Sequence, residues 1–437
     1  MKKVLIITYY WPPGSSPGVQ RFLKFTKYLW DFGWEPIVLT VENGTYPSMD
    51  ESLLQDIDPR TKVYRTSSRE PFRAFNLLSR KKGKSMSVGM IGLQNNASLL
   101  KKIALYIRAN YFIPDARKGW NRTAFPKAIS LIEKHEIKAI VTTGPPHSTH
   151  LIGLRLKKRL SIPWLVDLRD PWTNIYYNTI FPRSNRTIRK DKQLEDEVVK
   201  KADALTVVSH GLKNEFQNRA KQISIIYNGY DEEDFESAAG VESSTHFTLA
   251  YIGNFKPNQN IGTVWDALAE LRKELPEFYS HFRIAITGNM DPKIALDLEK
   301  RNLAEVSDLH PFVPHSESIS RMKKASLLLF IIPKTERNHL IITGKLFEYL
   351  ASGTPLLAIG PEEGDAANVL REANRSRMID YERESEIKAQ ILHAYQQWLD
   401  HGKRNPPINK GNINAFSRIQ STRKLSDLLN TIIHETS

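Results

Sequence analysis

The chain has 437 residues, of which 41% are hydrophobic and 25% charged, so it is ordinary globular material and longer than one comfortable core. It holds no cysteine, which excludes disulfides, thiolate metal sites and a cysteine nucleophile and fits a reducing compartment. The formal net charge of +14 calls for an anionic partner, yet no zinc-finger spacing, aromatic ribonucleoprotein motif or recognition-helix pattern points to nucleic acid.

The chain opens Met1-Lys2-Lys3-Val4-Leu5-Ile6-Ile7-Thr8, and this apolar run stops at Trp11-Pro12-Pro13 without a small-residue cleavage site. It reads as a first strand over 4–8, and no later run approaches the ~18 apolar residues needed to span a bilayer. The expectation is a chain that is soluble or lies on a membrane surface. Gly14, Ser15, Ser16, Pro17 and Gly18 then form a turn into a helix over 21–29, where backbone N–H groups and hydroxyls face a ligand. The turn has neither GxGxxG nor a Walker lysine, so by itself it is a poor nucleotide site, and a plain strand-to-helix turn is the other reading.

After a strand over 37–41, the stretch from Arg69 to Lys127 carries thirteen Lys or Arg against only Glu70 and Asp115. Within it Leu99, Leu100, Ile103, Tyr106, Ile107 and Tyr111 recur at near-helical spacing beside Lys101, Lys102 and Arg108. Two readings stay open for this basic amphipathic segment: a surface lying on anionic lipid, or a solvated helix packed on its own domain.

A helix over 128–136 leads to a strand over 139–143 and the loop Gly144-Pro145-Pro146-His147-Ser148-Thr149-His150. His147, near a helix N-terminus, is expected as a neutral donor or acceptor toward a sugar hydroxyl or phosphate. His150 reads as a packing residue, and the pair lacks the further ligands that a metal site requires. The strand over 164–167 ends in Asp167-Leu168-Arg169-Asp170-Pro171-Trp172; Asp167 and Arg169 read as a structural pair, while Asp170 is the candidate to face substrate.

Strands over 204–208 and 224–227 complete a first set, and the acidic, small and polar residues 231–246 read as a linker. A second alternation follows, with strands over 248–252, 283–287, 327–332, 356–359 and 378–379 and helices between them. Continuous apolar strands alternating with helices predict parallel sheets covered on both faces. Two Rossmann-like domains facing across a cleft would hold ligands at the carboxyl ends of their strands.

In the second half, Tyr251-Ile252-Gly253-Asn254-Phe255-Lys256 offers a strand, a glycine turn and a cation suited to a diphosphate, although a lone lysine such as Lys256 is often merely solvated. The helix begun by Thr343, Gly344 and Lys345 has free N–H groups and one cation for a phosphate. One turn on, Glu348 lies beside the apolar stripe of Leu346, Phe347, Leu350 and Ala351, where a carboxylate needs a hydrogen-bonding partner such as a pair of sugar hydroxyls. The residues 416–433 form a last amphipathic helix, which is expected to cross back to the first domain.

The glycine loop at 14–18, Gly144-Pro145-Pro146-His147, Asp167 to Trp172, Ile226-Tyr227-Asn228-Gly229-Tyr230-Asp231, Tyr251-Ile252-Gly253 and Gly344 to Ala351 together resemble the retaining, nucleotide-sugar-dependent glycosyltransferases of the GT-B fold, in the family 4 group that builds bacterial polysaccharides. The resemblance spans nearly the whole chain and implies an N-terminal acceptor domain over 1–235 with a basic insertion at about 69–118, a nucleotide-sugar domain over 246–410, and a C-terminal helix over 411–437 packed on the first domain. It implies His147 and Asp170 as catalytic orienting and polarising groups. Gly253, Asn254, Lys256, Val313, Thr343, Gly344, Lys345 and Glu348 would bind the nucleotide sugar, with Glu348 on the ribose and Phe312 to His315 passing the base. Gly14, Ser15, Ser16 and Arg169 would bind the acceptor.

Two positions depart from that pattern. Asn254 and Gln259 stand where the family often has a basic diphosphate clamp, and Leu340 stands where it often has a sugar-handling Glu. Lys345, helped by Lys256, would replace the lost cation. The implied reaction is metal-free transfer with retention and no cofactor beyond a nucleoside-diphosphate sugar as co-substrate. The acceptor would be a glycan or polyprenyl-linked lipid, in the cytoplasm or peripherally on the inner membrane in contact with anionic lipid. A non-catalytic GT-B-fold binding protein and a sugar-nucleotide epimerase on the same fold are the alternatives.

Overall fold

A computed structural model of the chain describes residues 1–46, 48–68, 99–175, 178, 181–236, 245–405 and 412–435, and of 99–104 it describes the backbone. The chain divides into two compact units: Met1–Asn228 with Ile419–Ser437, and Gly229–Arg418. In the first, β1 (Lys2–Ile7), β2 (Trp34–Val41), β3 (Lys62–Thr66), β4 (Ala139–Gly144), β5 (Trp164–Leu168), β6 (Ala204–Val207) and β7 (Ile223–Ile225) form a parallel sheet ordered β3-β2-β1-β4-β5-β6-β7. Strand β1 shows why the sheet is buried on both faces. Leu5 and Ile7 join one apolar cluster and Val4 and Ile6 another, as the period-2 alternation of a strand requires.

The second unit repeats the plan with β8 (Phe247–Ile252), β9 (Phe282–Thr287), β10 (Ser307–His310), β11 (Leu327–Ile331), β12 (Leu356–Ile359) and β13 (Met378–Ile379), ordered β10-β9-β8-β11-β12-β13 and again parallel. Trp265, Leu268 and Leu271 from the helix Gly262–Glu274 meet Ile387, Ile391 and Trp398 from the helix Glu384–Asp400 in one core. In each sheet the order reverses beside one strand, between β1 and β4 and between β8 and β11. Open α/β sheets bind ligands at the carboxyl ends of strands near such a reversal.

The last helix, Arg418–His434, places Leu425, Leu428, Leu429 and Ile432 in the first unit's core with Val4, Phe22, Leu23 and Leu29. The chain therefore returns to the first unit.

Several boundaries differ from the sequence reading. Strands β3 and β10 went unanticipated because each is a short edge strand with a half-polar pattern, and a single covered side needs no continuous apolar run. The stretch read as a linker begins with the helix Glu232–Glu236, which belongs to the second unit; its remainder over 237–244 lies outside the described residues. The division thus falls after Asn228 rather than at 235, and after Arg418 rather than at 410. Of the basic segment, 69–98 lies outside the described residues and Leu99–Tyr111 is a helix. Asn110 ties that helix to the first unit, its amide donating to the Pro182 carbonyl at 2.8 Å and its oxygen accepting from Ser184 N at 2.7 Å.

Candidate functional site

In the first unit a buried charge cluster organises the ends of β4, β5 and β6. Asp167 on β5 is 1% exposed and accepts hydrogen bonds from Arg21 at 2.9 Å and from the hydroxyls of Thr143 and Thr206 at 2.8 Å each. Arg21 also donates to the carbonyls of Ile226 and Tyr227 at 2.8 Å, so one guanidinium joins the first helix, β5 and the end of the sheet. The expected Asp167–Arg169 ion pair is present at 3.8 Å, and Asp167 has a closer partner in Arg21, 146 residues away in sequence. Tertiary packing chose it. The legible signal for Arg21 was a cation amid the apolar Phe22, Leu23 and Phe25.

Arg169 donates to the Thr143 hydroxyl at 3.2 Å and the Pro145 carbonyl at 2.9 Å, so most of its fork holds the loop after β4. Its guanidinium lies on Gly18, where a Cβ would stand 1.4 Å from Nη1. The first helix, Pro17–Tyr28, is capped by Ser16, whose hydroxyl accepts from Val19 N. Ser15 bonds to Ser48, its hydroxyl donating at 3.0 Å, and Gly14 leaves room for the Tyr46 ring, which a Cβ would meet at 2.4 Å. Of the residues expected to bind acceptor, Gly14, Ser15 and Ser16 thus also serve to shape their own turn.

His147 begins the short turn after the loop and lies flat on Trp172, with ring centroids 4.9 Å apart and planes inclined by 7°. Among the described residues neither imidazole nitrogen meets the full geometry of a hydrogen bond, and burial pushes its pKa down to about 4, the Pro171 carbonyl beside it opposing that shift. It is a neutral group at ordinary pH. His150 is fully buried with Nδ1 at 2.9 Å from the Thr142 hydroxyl, and burial holds its pKa far down as well. Gly144 lets both rings close on the backbone, since a Cβ there would meet His150 Nε2 at 2.5 Å and His147 Nδ1 at 3.1 Å.

Asp170 follows β5, half-buried and without a hydrogen bond among the described residues; burial raises its pKa, with Arg169 opposing. Three carboxylates that sequence reasoning missed fix these loops, Glu195 and Asp191 the turn after β5 and Asp115 the turn at His147. Glu195, 0% exposed, accepts from Thr173 N at 2.9 Å and its hydroxyl at 2.7 Å, Asp191 accepts from Trp172 Nε1 at 2.9 Å, and Asp115 accepts from Ser148 N and Oγ at 2.8 Å each. Acidic residues on the otherwise polar helix Asn185–Lys201 gave no signal of burial.

In the second unit, β8 is followed by Gly253, whose φ of 120° lies in the region that favours glycine. The Nζ of Lys345 would stand 3.0 Å from a Cβ at Gly253 and lies 3.9 Å from the Tyr251 ring centroid. Gly288 after β9 backs the same turn, and a Cβ there would reach the Gly253 carbonyl at 2.6 Å. Tyr349 locks the helix Gly344–Ser352 to β8, its hydroxyl accepting from Ile252 N at 2.9 Å.

Thr343 stands at the N-cap with no side-chain cap bond, and a Cβ on Gly344 would have nothing within 4 Å. The helix therefore begins with open N–H groups, a favourable place for an anion. Lys345 and Glu348, three residues apart, form no ion pair, and neither has a hydrogen bond among the described residues. Burial drives their pKa values in opposite directions: Lys345 falls to about 7 and Glu348 rises. Glu348 is also near His315, which Asp234 holds at 3.3 Å and whose pKa that contact raises. Val313 is buried, and Phe312 is 79% exposed.

The remaining expected contacts divide. Lys256 and Asn254 are exposed, and Asn254 accepts from Asn289 at 3.1 Å. Gln259 is structural: its amide donates to the Ile331 carbonyl at 3.1 Å and its oxygen accepts from Lys256 N and the Tyr251 hydroxyl at 3.2 Å each. A lysine there could not replace that acceptor.

Residues 93–234 match the sequence model described as Glycosyltransferase Family 4. No curated protein matches the chain. Among solved structures, a sucrose-phosphate synthase from Thermosynechococcus elongatus is similar at 14% identity and a TM-score of 0.61, covering 100% of both chains. A glycosyltransferase from Rickettsia africae is similar at 13% identity and a TM-score of 0.62, covering 99% of each. TarM of S. aureus, in complex with fondaparinux, alpha-GlcNAc-glycerol and UDP, is similar at 12% identity and a TM-score of 0.60, covering 98% of this chain and 100% of its own. These likenesses establish the GT-B fold.

Proposed function

We propose that this chain, a glycosyltransferase of the GT-B fold that matches family 4 over 93–234, moves a sugar from a nucleoside diphosphate to a glycan or lipid-linked acceptor in cell-surface polysaccharide synthesis. One observation carries the reading: a half-buried cation and a half-buried carboxylate, Lys345 over the Tyr251 ring and Glu348, have no ion pair and no hydrogen bond among the described residues and share one helical turn whose N-terminus is open. Charges kept from water without a partner are costly, so a ligand that supplies both complements is favoured. A diphosphate at Thr343, Gly344 and Lys345 and a ribose on Glu348 do so, with Gly253, Asn254 and Lys256 flanking the phosphates and Val313 beside the base.

Transfer proceeds with retention and without a metal. The bond from the anomeric carbon to the diphosphate oxygen breaks as the bond to the acceptor oxygen forms, and the acceptor proton passes to the departing phosphate. Negative charge grows on that phosphate in the transition state, where the helix N–H groups and Lys345 stabilise it most. Neutral His147 and the carboxylate of Asp170 orient the sugar and the acceptor, with Gly14, Ser15, Ser16 and Arg169 on the acceptor side. The helix Leu99–Tyr111 lies on anionic membrane at the cytoplasmic face, a reading supported by the exposed Tyr106, Ile107 and Tyr111.

Calorimetry with UDP, GDP and ADP tests the site, UDP first because it is bound in the TarM complex. Glu348→Ala is expected to weaken binding about tenfold, the worth of a hydrogen bond to a charged group. Unchanged affinity in a variant with native circular dichroism would remove the ribose assignment. Release of nucleoside diphosphate from sugar nucleotides, with and without lipid-linked acceptor, tests turnover; binding without release across the panel would favour a non-catalytic protein.

A further inference from the structure

We propose that Tyr251 is a positioning residue: the face of its ring holds the Lys345 ammonium at the Gly253 turn, where that cation meets the departing phosphate. The inference rests on Lys345 being the diphosphate ligand and adds what keeps it in place. Lysine is a point charge on a flexible four-carbon stem, and Lys345 has neither an ion pair nor a hydrogen bond among the described residues to fix it. Its one recorded contact of that kind is the ring. Nζ lies over Tyr251 at 3.9 Å from the centroid. Phe255 is stacked on the same ring at 3.9 Å with planes inclined by 15°, which fills one face and leaves the amine on the other. The negative face of an aromatic ring attracts an ammonium, and more so where water is kept away.

The ring is itself fixed. Tyr251 is 1% exposed, and its hydroxyl donates to the Asn254 carbonyl at 2.9 Å and to Gln259 Oε1 at 3.2 Å. Gln259 is anchored in turn, its amide donating to the Ile331 carbonyl of β11 at 3.1 Å. It therefore acts on the cation through the ring. Gly253 clears the space beside it: a Cβ there would stand 3.0 Å from Nζ and 3.1 Å from Cε of Lys345, so a side chain at 253 would push the amine off the ring. Ring and gap, two residues apart in sequence, meet at one amine. A ring that stabilises the charged form also works against the burial that draws the Lys345 pKa down to about 7, on which Glu348 and Lys256 are the other charged groups that act.

The test is UDP binding by calorimetry on the full chain at pH 6 and pH 8, in proteins with native circular dichroism. Tyr251→Phe keeps the ring face and is expected to bind UDP nearly as wild type does. Trifluorophenylalanine at position 251 keeps the shape of that ring but withdraws charge from its face, and at pH 8 it is expected to bind about tenfold more weakly than Tyr251→Phe, the worth of a partly desolvated cation–π contact. At pH 6, where the amine is charged in both proteins, the difference should shrink. A ring that served packing alone would give no difference between the two, at either pH. In a Lys345→Met background the Phe and trifluorophenylalanine proteins should bind alike, since the contact they compare is gone. Equal affinity of those two rings with Lys345 present, while Lys345→Met weakens binding, overturns the inference and leaves Lys345 as the ligand. Unchanged affinity in Lys345→Met itself overturns the diphosphate assignment and the inference together.

Discussion

Lys345 and Glu348 are charged groups whose surroundings oppose their charge, and that has a measurable consequence at the residue scale. With its pKa pulled down to about 7 by burial, the Lys345 amine is largely neutral at pH 8 in the free protein. A bound diphosphate favours the ammonium, so UDP binding at pH 8 is expected to take up close to one proton, and less at pH 6 where the amine is already charged. Calorimetry in buffers of different ionisation enthalpy reads this directly, and Lys345→Met should abolish it. For Glu348 the sign is opposite: its pKa, raised by burial, means the carboxylate proposed to accept the ribose is lost earlier on acidification than an exposed one. Asp167 illustrates a purely structural charge. Asp167→Ala leaves Arg21 buried and uncompensated, and about 3–5 kcal/mol of stability should be lost, seen as a lower urea midpoint. The sequence displayed Glu348 because a carboxylate beside an apolar helical stripe violates the local pattern. It could not display the Arg21–Asp167 bond, because no local rule pairs residues 146 positions apart.

At the scale of elements, the amphipathic helix Leu99–Tyr111 carries an observation on the side of each of its two readings. Asn110 anchors it to the first unit, yet Tyr106 is 49%, Ile107 45% and Tyr111 68% exposed. Aromatic and aliphatic groups beside cations favour an anionic interface at about 1 kcal/mol per basic residue. Replacing Lys101, Lys102 and Arg108 by Gln is therefore expected to cut sedimentation with phosphatidylglycerol vesicles at least tenfold, and adding salt to wild type should mimic it. Equal sedimentation of both proteins would leave the helix as ordinary surface. Edge strands were the elements least legible beforehand. Lys62–Thr66 and Ser307–His310 each need only one covered side, so their patterns mix polar and apolar residues as loops do. Central strands such as Val4 to Ile7 were plain because both faces are buried.

For the whole molecule, the discontinuous first unit makes the clearest prediction. Leu425, Leu428, Leu429 and Ile432 are each at most 5% exposed and complete the core around Phe22 and Leu23. At roughly 1.5–3 kcal/mol per buried aliphatic side chain, deleting 419–437 removes about 6–12 kcal/mol, comparable with the whole stability of a typical domain. Hydrogen exchange on the truncated protein should show lost protection over 18–29 and 34–41 while 262–274 stays protected. Protection retained in the first unit would contradict the accounting. By itself the sequence determined the parallel α/β plan, the repeat of that plan in a second unit, and the helix carrying Lys345 and Glu348, because apolar runs, glycine turns and caps act within a few residues. Only the tertiary structure decided that Arg21 partners Asp167, that Glu195 and Asp191 hold the Trp172 turn under His147, that Gln259 is a packing residue, and that the chain divides after Asn228. Those outcomes depend on which groups burial leaves without water, and burial is settled by neighbours far away in the sequence.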